Sequence, residues 1–228
     1  MNSEKEYLKE EIRKEFQLER MVLFSDAVFA IAITLMAIEI KAPEAIGINS
    51  QEAFLQHLGP VLPAIFAYIV SFIFVGYTWY QHLQLFSLLK DYNKGVVLRN
   101  LIMLFFIGLF PFGASIIAKG YTNTWLQMYI YMGIVLLCSA ARHVLQHYII
   151  IKHPELCIRT NLTEQKIELA KSRVSFIIFG IIIVLVLATQ LLISNPALKP
   201  MAVLWFAVFP VFFKIFQKKG KKHQHAGK

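Results

Sequence analysis

Long runs without charged side chains are the feature that most constrains how this chain can fold. A helix needs about 20 mostly apolar residues to cross the roughly 30 Å hydrocarbon core of a bilayer. Five runs reach or approach that length, namely residues 58–89, 100–118, 120–141, 174–193 and 201–216, the last with Lys214 near its end. The pattern predicts a polytopic α-helical membrane protein.

A sixth run, residues 21–40, has a helical pattern although it carries Asp26 and Glu39. The run 58–89 is longer than a span needs, so its membrane part is expected at residues 60–81, after Gly59 and Pro60. The predicted fold class is therefore all-α with six transmembrane helices and no re-entrant pore loop. The expected spans are residues 21–40, 60–81, 100–118, 120–141, 174–193 and 201–216.

The composition agrees with a membrane protein. Apolar residues make up 57% of the 228 residues and charged residues only 16%, against roughly 25% charged residues in a typical soluble domain. A water-soluble fold could not bury so much apolar surface. Cys138 and Cys157 have neither disulfide-framework nor metal-type spacing.

The positions of the basic residues predict the orientation. With six spans, all but three of the 23 Lys and Arg residues fall on one side of the membrane, the exceptions being Lys41, Lys119 and Lys199. Cytoplasmic loops carry an excess of Lys and Arg, so both termini are expected in the cytoplasm. The predicted organisation is a cytoplasmic helix at residues 1–20, a membrane domain at 21–216 and a basic tail at 217–228.

Several function classes lack support in the sequence. The net charge of +9 follows the membrane topology, so nucleic-acid binding is not indicated. No HExxH, GxSxG or Walker motif is present, so no enzyme is predicted. His143 and His147 have metal-ligand spacing without further ligands nearby, and no metal site is expected. Val75, Gly76 and Tyr77 lie inside a helical run, unlike the carbonyl filter of a potassium channel.

The first span has two different faces. On a wheel with about 100° per residue, Asp26 lies about 140° from Ile31. The residues within about 60° of Ile31 form an aliphatic stripe with one hydroxyl: Phe24, Ala27, Thr34, Leu35 and Ile38. The pattern alone fits either helix packing with a hydrogen-bonded acid or a pore lining. An acid in or near the membrane marks either a pathway or a structural polar network.

These residues carry a resemblance to a known family. Arg20, Phe24, Ser25 and Asp26 in RMVLFSDAVFAIAITL match the R-x-x-x-F-S-D signature of the first helix in the transmembrane protein 175 family of lysosomal and prokaryotic potassium channels. GYTWYQHLQLF resembles the second-helix element of that family, with Trp79 and His82. RNLIMLFFIGLFPF resembles its third-helix pattern, with Asn100, Phe110 and Pro111.

The resemblance implies a homotetramer whose first helices line a central cation path without a carbonyl filter. Ile31 would then form a hydrophobic constriction, and Thr34, Leu35 and Ile38 would continue the lining. Such a ring obstructs ions by dewetting, and conduction would require it to widen.

The resemblance also implies a polar network that joins Arg20, Ser25 and Asp26 to Trp79, His82 and Asn100. The wheel instead turns Arg20 toward the pore face, about 20° from Ile31. Glu15 and Glu19 would offset that positive charge and gather cations at the entry.

The resulting prediction is a potassium-permeable channel of the cell membrane, with K⁺ as the permeant ion and no cofactor. Its expected partners are further copies of itself and the lipid bilayer. The alternative is a proton-conducting or proton-coupled protein, because Asp26, His82 and Glu39 can titrate.

Overall fold

The computed structural model describes residues 2–41, 50–51, 55, 58–119, 126–158 and 162–192. Its long helices are α1 Asn2–Ile38, α2 Leu62–Phe86, α3 Lys94–Gly108, α4 Phe110–Ala118, α5 Leu126–His147 and α6 Leu162–Leu192. Within these ranges, five stretches are long and apolar enough to cross a bilayer: Lys9–Ile38, Ala64–Phe86, Lys94–Ala118, Leu126–Lys152 and Ser172–Thr189. The predicted all-α membrane fold is confirmed. The expected span 201–216 and tail 217–228 lie outside the described residues.

Helix α1 is one continuous helix of 37 residues. The sequence pattern predicted a cytoplasmic helix at residues 1–20 and a span at 21–40. No Gly or Pro lies between Asn2 and Ile38, so the backbone has no local reason to break. The polar residues 2–20 and the apolar residues 21–38 therefore share one helix axis.

Two proline residues and one asparagine mark where the next three helices begin. Pro63 lies in the first turn of α2, where the missing N–H would have no helical partner anyway. The Asn93 side chain accepts a hydrogen bond of 2.9 Å from the Val96 amide and caps α3. Leu109 separates α3 from α4, and Pro111 follows in the first turn of α4. Together these two helices form one span, Lys94–Ala118.

The last two helices extend further than hydropathy suggested. The expected span 120–141 corresponds to α5, which continues beyond Ala141 to His147 and then into a π-helical turn, Tyr148–Lys152. The expected span 174–193 is likewise part of a longer helix, α6, which begins at Leu162. Polar residues such as Arg142 and Gln146 continue α5 because they are good helix formers and are buried there by neighbouring helices.

The core lies between the first five helices. Helix α1 packs against α2, α3 and α4, and α5 packs against α3, α4 and α6. Phe29 and Met36 of α1, Val75 of α2 and Met103 of α3 are all fully buried in the main apolar cluster. A smaller cluster joins Met132 of α5 to α6. One side of α1 is thereby fixed within the subunit.

Backbone contacts tie two connections together at one end of the bundle. The Lys90 amide donates to the Leu156 carbonyl at 2.9 Å, and the Ile158 amide donates to the Leu88 carbonyl at 2.8 Å. The Lys14 ammonium lies 3.4 Å from the Asp91 carboxylate. The turn after α2, the connection after α5 and the N-terminal half of α1 therefore meet.

Candidate functional site

The stripe of α1 predicted to line a pore is not covered by the other residues that the structure describes. Ile31 is 57% exposed, Leu35 45% and Ile38 70%. Phe29, Ala32 and Met36, on the other side of the helix, are buried. The Ile31 side of α1 therefore faces away from the subunit's own core.

Thr34 lies on the exposed side, one turn beyond Ile31. Its hydroxyl donates to the backbone carbonyls of Ala30 and Ile31, each at 3.0 Å. The proton is thus directed into the helix, and the remaining oxygen lone pairs point away from it. A hydroxyl held this way can accept a hydrogen bond from water or contact a cation.

A buried chain of hydrogen bonds joins α1, α2 and α3. The Asn100 side-chain amide of α3 donates to the Ser25 hydroxyl of α1 at 2.9 Å. The Asn100 carbonyl oxygen lies 3.0 Å from Nε2 of His82 on α2. Ser25 in turn donates to the Met21 carbonyl at 2.8 Å. All three linked side chains are at most 1% exposed, so the chain fixes α1 against α2 and α3.

Aromatic rings enclose His82. Its ring stacks on Phe86 with centroids 4.0 Å apart and lies 5.6 Å from the Phe29 ring. In the described part of the chain, Nδ1 of His82 has no hydrogen-bond partner. Since an unpaired N–H would be costly in an apolar site, the hydrogen is better placed on Nε2, where it can be donated to Asn100.

Asp26 belongs to a separate pair. Its carboxylate accepts a hydrogen bond of 2.9 Å from the indole Nε1–H of Trp79. Asp26 is half-buried and Trp79 is 39% exposed, unlike the enclosed Ser25–Asn100–His82 chain. A neighbouring residue on α1 thus contacts α2 through a second, more peripheral hydrogen bond.

Arg20 lies at the edge of this arrangement. Its guanidinium carbon is 6.0 Å from the centre of the Phe16 ring. Among the described residues, no hydrogen bond joins Arg20 to Asp26 or Asn100. A cavity of about 360 Å³ brings Arg20, Phe24 and Asn100 to one place, and it is lined by Gln17, Arg20, Met21, Phe24, Tyr92, Val97, Asn100 and Leu101. The residues predicted to form one polar network therefore occupy three places. Ser25, Asn100 and His82 form a hydrogen-bonded chain. Asp26 pairs with Trp79, and Arg20 lines the cavity.

Other polar contacts were not anticipated from the sequence. Arg142, the residue after the expected span 120–141, lies inside α5, is 8% exposed and donates a hydrogen bond to Gln81 of α2. Ser71 of α2 bonds the Tyr131 hydroxyl of α5 at 2.7 Å. The residue types offered no local signal for either pairing, because each joins helices that are distant in the chain.

The histidines of α5 form no larger ligand group in the described ranges. The rings of His143 and His147 have centroids 6.4 Å apart. No group of three or more His, Cys, Asp or Glu side chains suited to a metal is found within the residues described.

The sequence and fold were compared with known proteins. Residues 20–111 match the family described as endosomal/lysosomal potassium channel TMEM175. A potassium channel of Chryseobacterium sp. is 38% identical over 138 residues, which are 58% of this chain and 65% of that protein. The endosomal/lysosomal proton channel TMEM175 of Gallus gallus is 33% identical over 110 residues, which are 46% of this chain and 21% of that protein. This chain thus spans less than two thirds of the length of these curated relatives.

A solved structure has a similar fold. The crystal structure of a lysosomal potassium-selective channel TMEM175 homolog from Chamaesiphon minutus aligns with a TM-score of 0.60 at 21% sequence identity. The alignment covers 87% of this chain and 97% of that chain. The family is one of ion channels rather than enzymes. Residues 20–111, which contain the first-helix signature and its buried partners, are thus the part of the chain that matches the TMEM175 family.

Proposed function

We propose that four copies of this chain assemble around a central pore that conducts potassium ions. In this assembly, α1 of each subunit lines the pore, and Ile31 forms its narrowest ring. The observation that carries the proposal is the uncovered stripe of α1, with Ile31 57% exposed and Thr34 exposed one turn away. The name of the Chryseobacterium relative, a potassium channel, agrees with it.

Exposure alone does not identify a pore face, because lipid also covers apolar side chains. Ile73 of α2 and Phe105 of α3 are 64% and 63% exposed, as expected of lipid contacts. The exposed side of α1 differs because it also carries the small residues Ala27 and Ala30 and the Thr34 hydroxyl. Small residues permit close approach of helices, and a hydroxyl is useful where water or ions pass. This side of α1 is therefore better suited to a shared central surface.

The constriction would act by excluding water. Four isoleucine side chains around one axis leave a narrow apolar passage, from which water withdraws and ions with it. Conduction then requires α1 to rotate or tilt so that the Ile31 ring widens. The outward lone pairs of Thr34 would offer a potassium ion oxygen contacts beyond the ring.

The hydrogen bonds behind the stripe would hold α1 in the closed orientation. Ser25 connects α1 to Asn100 and, through it, to His82, while Asp26 connects α1 to Trp79. Hydrogen bonds in an apolar surrounding are directional and costly to leave unpaired. Rotation of α1 must therefore preserve or exchange these contacts.

A second candidate function is proton conduction. The Gallus gallus relative is named a proton channel, and the described bundle holds two titratable groups on adjacent helices, Asp26 and His82. The discriminating measurement is flux driven by a pH gradient with no potassium present. Proton flux under that condition supports the second candidate.

Potassium flux into liposomes that contain the purified full-length protein tests the first candidate. We expect the wild type to conduct potassium and Ile31→Asn to conduct several-fold more, because a polar amide hydrates the constriction. Ile73→Asn is the matched control: it makes the same change at a similarly exposed position of α2 and should leave flux unchanged.

The outcomes separate the possibilities. Equal effects of Ile31→Asn and Ile73→Asn would exclude Ile31 as the constriction, although the channel could still conduct along another path. Absence of potassium flux from all three proteins in sealed liposomes would contradict the channel proposal itself.

A further inference from the structure

The N-terminal half of α1 has an exposed apolar stripe of its own. Ile12 is 59% exposed and Phe16 57%. They are one helical turn apart and therefore lie on one face. This segment precedes residue 20, where the family match begins, and thus has no counterpart in the signature region.

The opposite side of the same segment is attached to its own subunit. Lys14 forms an ion pair of 3.4 Å with Asp91, and the Tyr92 hydroxyl donates a hydrogen bond to Gln17. Leu18 packs against the main apolar cluster. The helix is therefore held in place, and Ile12 and Phe16 point away from the subunit.

Basic residues lie on one side of the stripe and acidic residues on the other. With Ile12 at zero on the helical wheel, Lys9 and Arg13 lie about 60° and 100° to one side, and Glu15 and Glu11 lie about 60° and 100° to the other. All four side chains are exposed. Over residues 9–16 the exposed face thus has an apolar centre, a basic flank and an acidic flank, with Lys5 and Glu19 in line with the stripe at its two ends.

We infer that the occupant of this stripe is the same segment of a second copy of the chain, so that the N-terminal halves of α1 form a parallel bundle in which each basic flank contacts the neighbour's acidic flank. The inference rests on the proposed assembly, in which the helices must also twist about one another, because Ile12 lies about 100° from Ile31 on the wheel. Under rotational symmetry, every subunit presents the same two flanks in the same order, so complementary charges meet at each contact. Charged positions beside an apolar seam select partner and orientation in coiled coils.

Charge complementarity favours this occupant over a lipid surface. An anionic bilayer would attract a basic polar face, whereas this segment presents Glu11 and Glu15 beside the stripe as prominently as Lys9 and Arg13. In this pairing, Arg13 of one copy would lie against Glu15 of the next.

Thiol cross-linking of the full-length protein in liposomes tests the bundle. Ile12→Cys should give a cross-linked dimer with a short bismaleimide in several-fold higher yield than Glu10→Cys. Glu10 is also exposed, but it lies about 160° from Ile12 on the wheel. The natural Cys138 and Cys157 are buried and can stay in place, with the wild type measuring their background.

Exchanging the charges of Arg13 and Glu15 tests whether the basic flank of one copy contacts the acidic flank of the next. In the Ile12→Cys background, Arg13→Glu and Glu15→Arg should each lower the dimer yield, and the two changes together should restore it. Failure of the combined variant to recover would overturn the pairing of flanks. Equal cross-linking of Ile12→Cys and Glu10→Cys would overturn the bundle.

These results are independent of the channel test. Potassium flux with no preferential Ile12→Cys cross-linking would refute the bundle and leave the channel proposal intact. Cross-linking as expected, with no potassium flux, would support the bundle and refute the channel.

Discussion

Among the single residues of the site, Asn100 has the most demanding position. It is 1% exposed and uses its amide toward Ser25 and its carbonyl toward His82. An amide can serve a donor and an acceptor at once, which an aliphatic residue of similar size cannot. The contacts of Asn100 therefore explain why a polar residue is tolerated between three helices.

We expect Asn100→Leu to lower the free energy of unfolding by about 1–3 kcal/mol, because Ser25 and His82 would each lose a partner in a buried site. Ser87→Ala is the control, since it removes an exposed hydrogen bond of 2.9 Å to the Gln84 carbonyl and should change stability by no more than about 0.5 kcal/mol. Unfolding of the detergent-solubilised protein gives both values. Equal stability of the two variants would mean that the buried chain contributes little.

The pairings within the site could not be predicted from sequence spacing. The resemblance grouped Ser25, Asp26, Trp79, His82 and Asn100, but it did not assign partners. Adjacent residues on α1 point in directions about 100° apart, so Ser25 reaches Asn100 while Asp26 reaches Trp79. The burial of Arg142 could likewise not be predicted from the sequence, because it depends on Gln81 of another helix.

At the scale of elements, the close approach of α3 to the π-helical turn after α5 is sensitive to side-chain size. A Cβ atom added to Gly95 would lie 2.1 Å from the Tyr148 hydroxyl oxygen. Arg99 lies over the same ring, 3.7 Å from its centre, and donates to the Gly95 carbonyl at 2.9 Å. Gly95 thus makes room for a stacked Arg–Tyr pair at the helix start.

The same substitution of Gly by Ala at two positions of α3 should consequently change the stability of the protein differently. Gly95→Ala should destabilise the protein by about 1–3 kcal/mol, because the Tyr148 ring must move. Gly108→Ala meets no atom within 4 Å, so the higher helix propensity of Ala should leave stability unchanged or raise it by up to about 1 kcal/mol. Thermal unfolding of both variants in detergent decides the matter. Destabilisation by both would show that backbone freedom, not space, governs Gly95.

Hydropathy located the described spans but not the full helices. Apolar run length reports the part of a helix that lipid surrounds, whereas helix α1 continues for about 20 residues of polar sequence that also favours helix. For the same reason, α6 begins at Leu162, well before the expected span 174–193. Helix ends depend on caps, prolines and neighbours, which run length does not record.

For the whole molecule, the distribution of basic residues predicts one orientation in the membrane. All but three of the 23 Lys and Arg residues fall on one side of a six-span arrangement. Positive charge is retained on the cytoplasmic side during insertion. We accordingly propose that both termini are cytoplasmic.

Reporter fusions test this orientation. Green fluorescent protein joined after Lys228 should fluoresce, because it folds in the cytoplasm. Alkaline phosphatase inserted between residues 41 and 50 should be active, because that enzyme matures only outside the cytoplasm, where its disulfides form. A fluorescent terminal fusion combined with an inactive insertion would contradict the proposed orientation of the span 21–40.

The unbroken length of α1 makes it a lever. At 1.5 Å per residue, the helix is about 55 Å long, and about 35 Å of it lies on the N-terminal side of Ser25. If Ser25 acts as the fulcrum, a tilt of about 5° displaces the N-terminal end by about 3 Å and Ile31 by less than about 1 Å. A protein, antibody or ion that restrains residues 2–19 would therefore hold the proposed Ile31 ring still from a distance of about 18–44 Å along the helix.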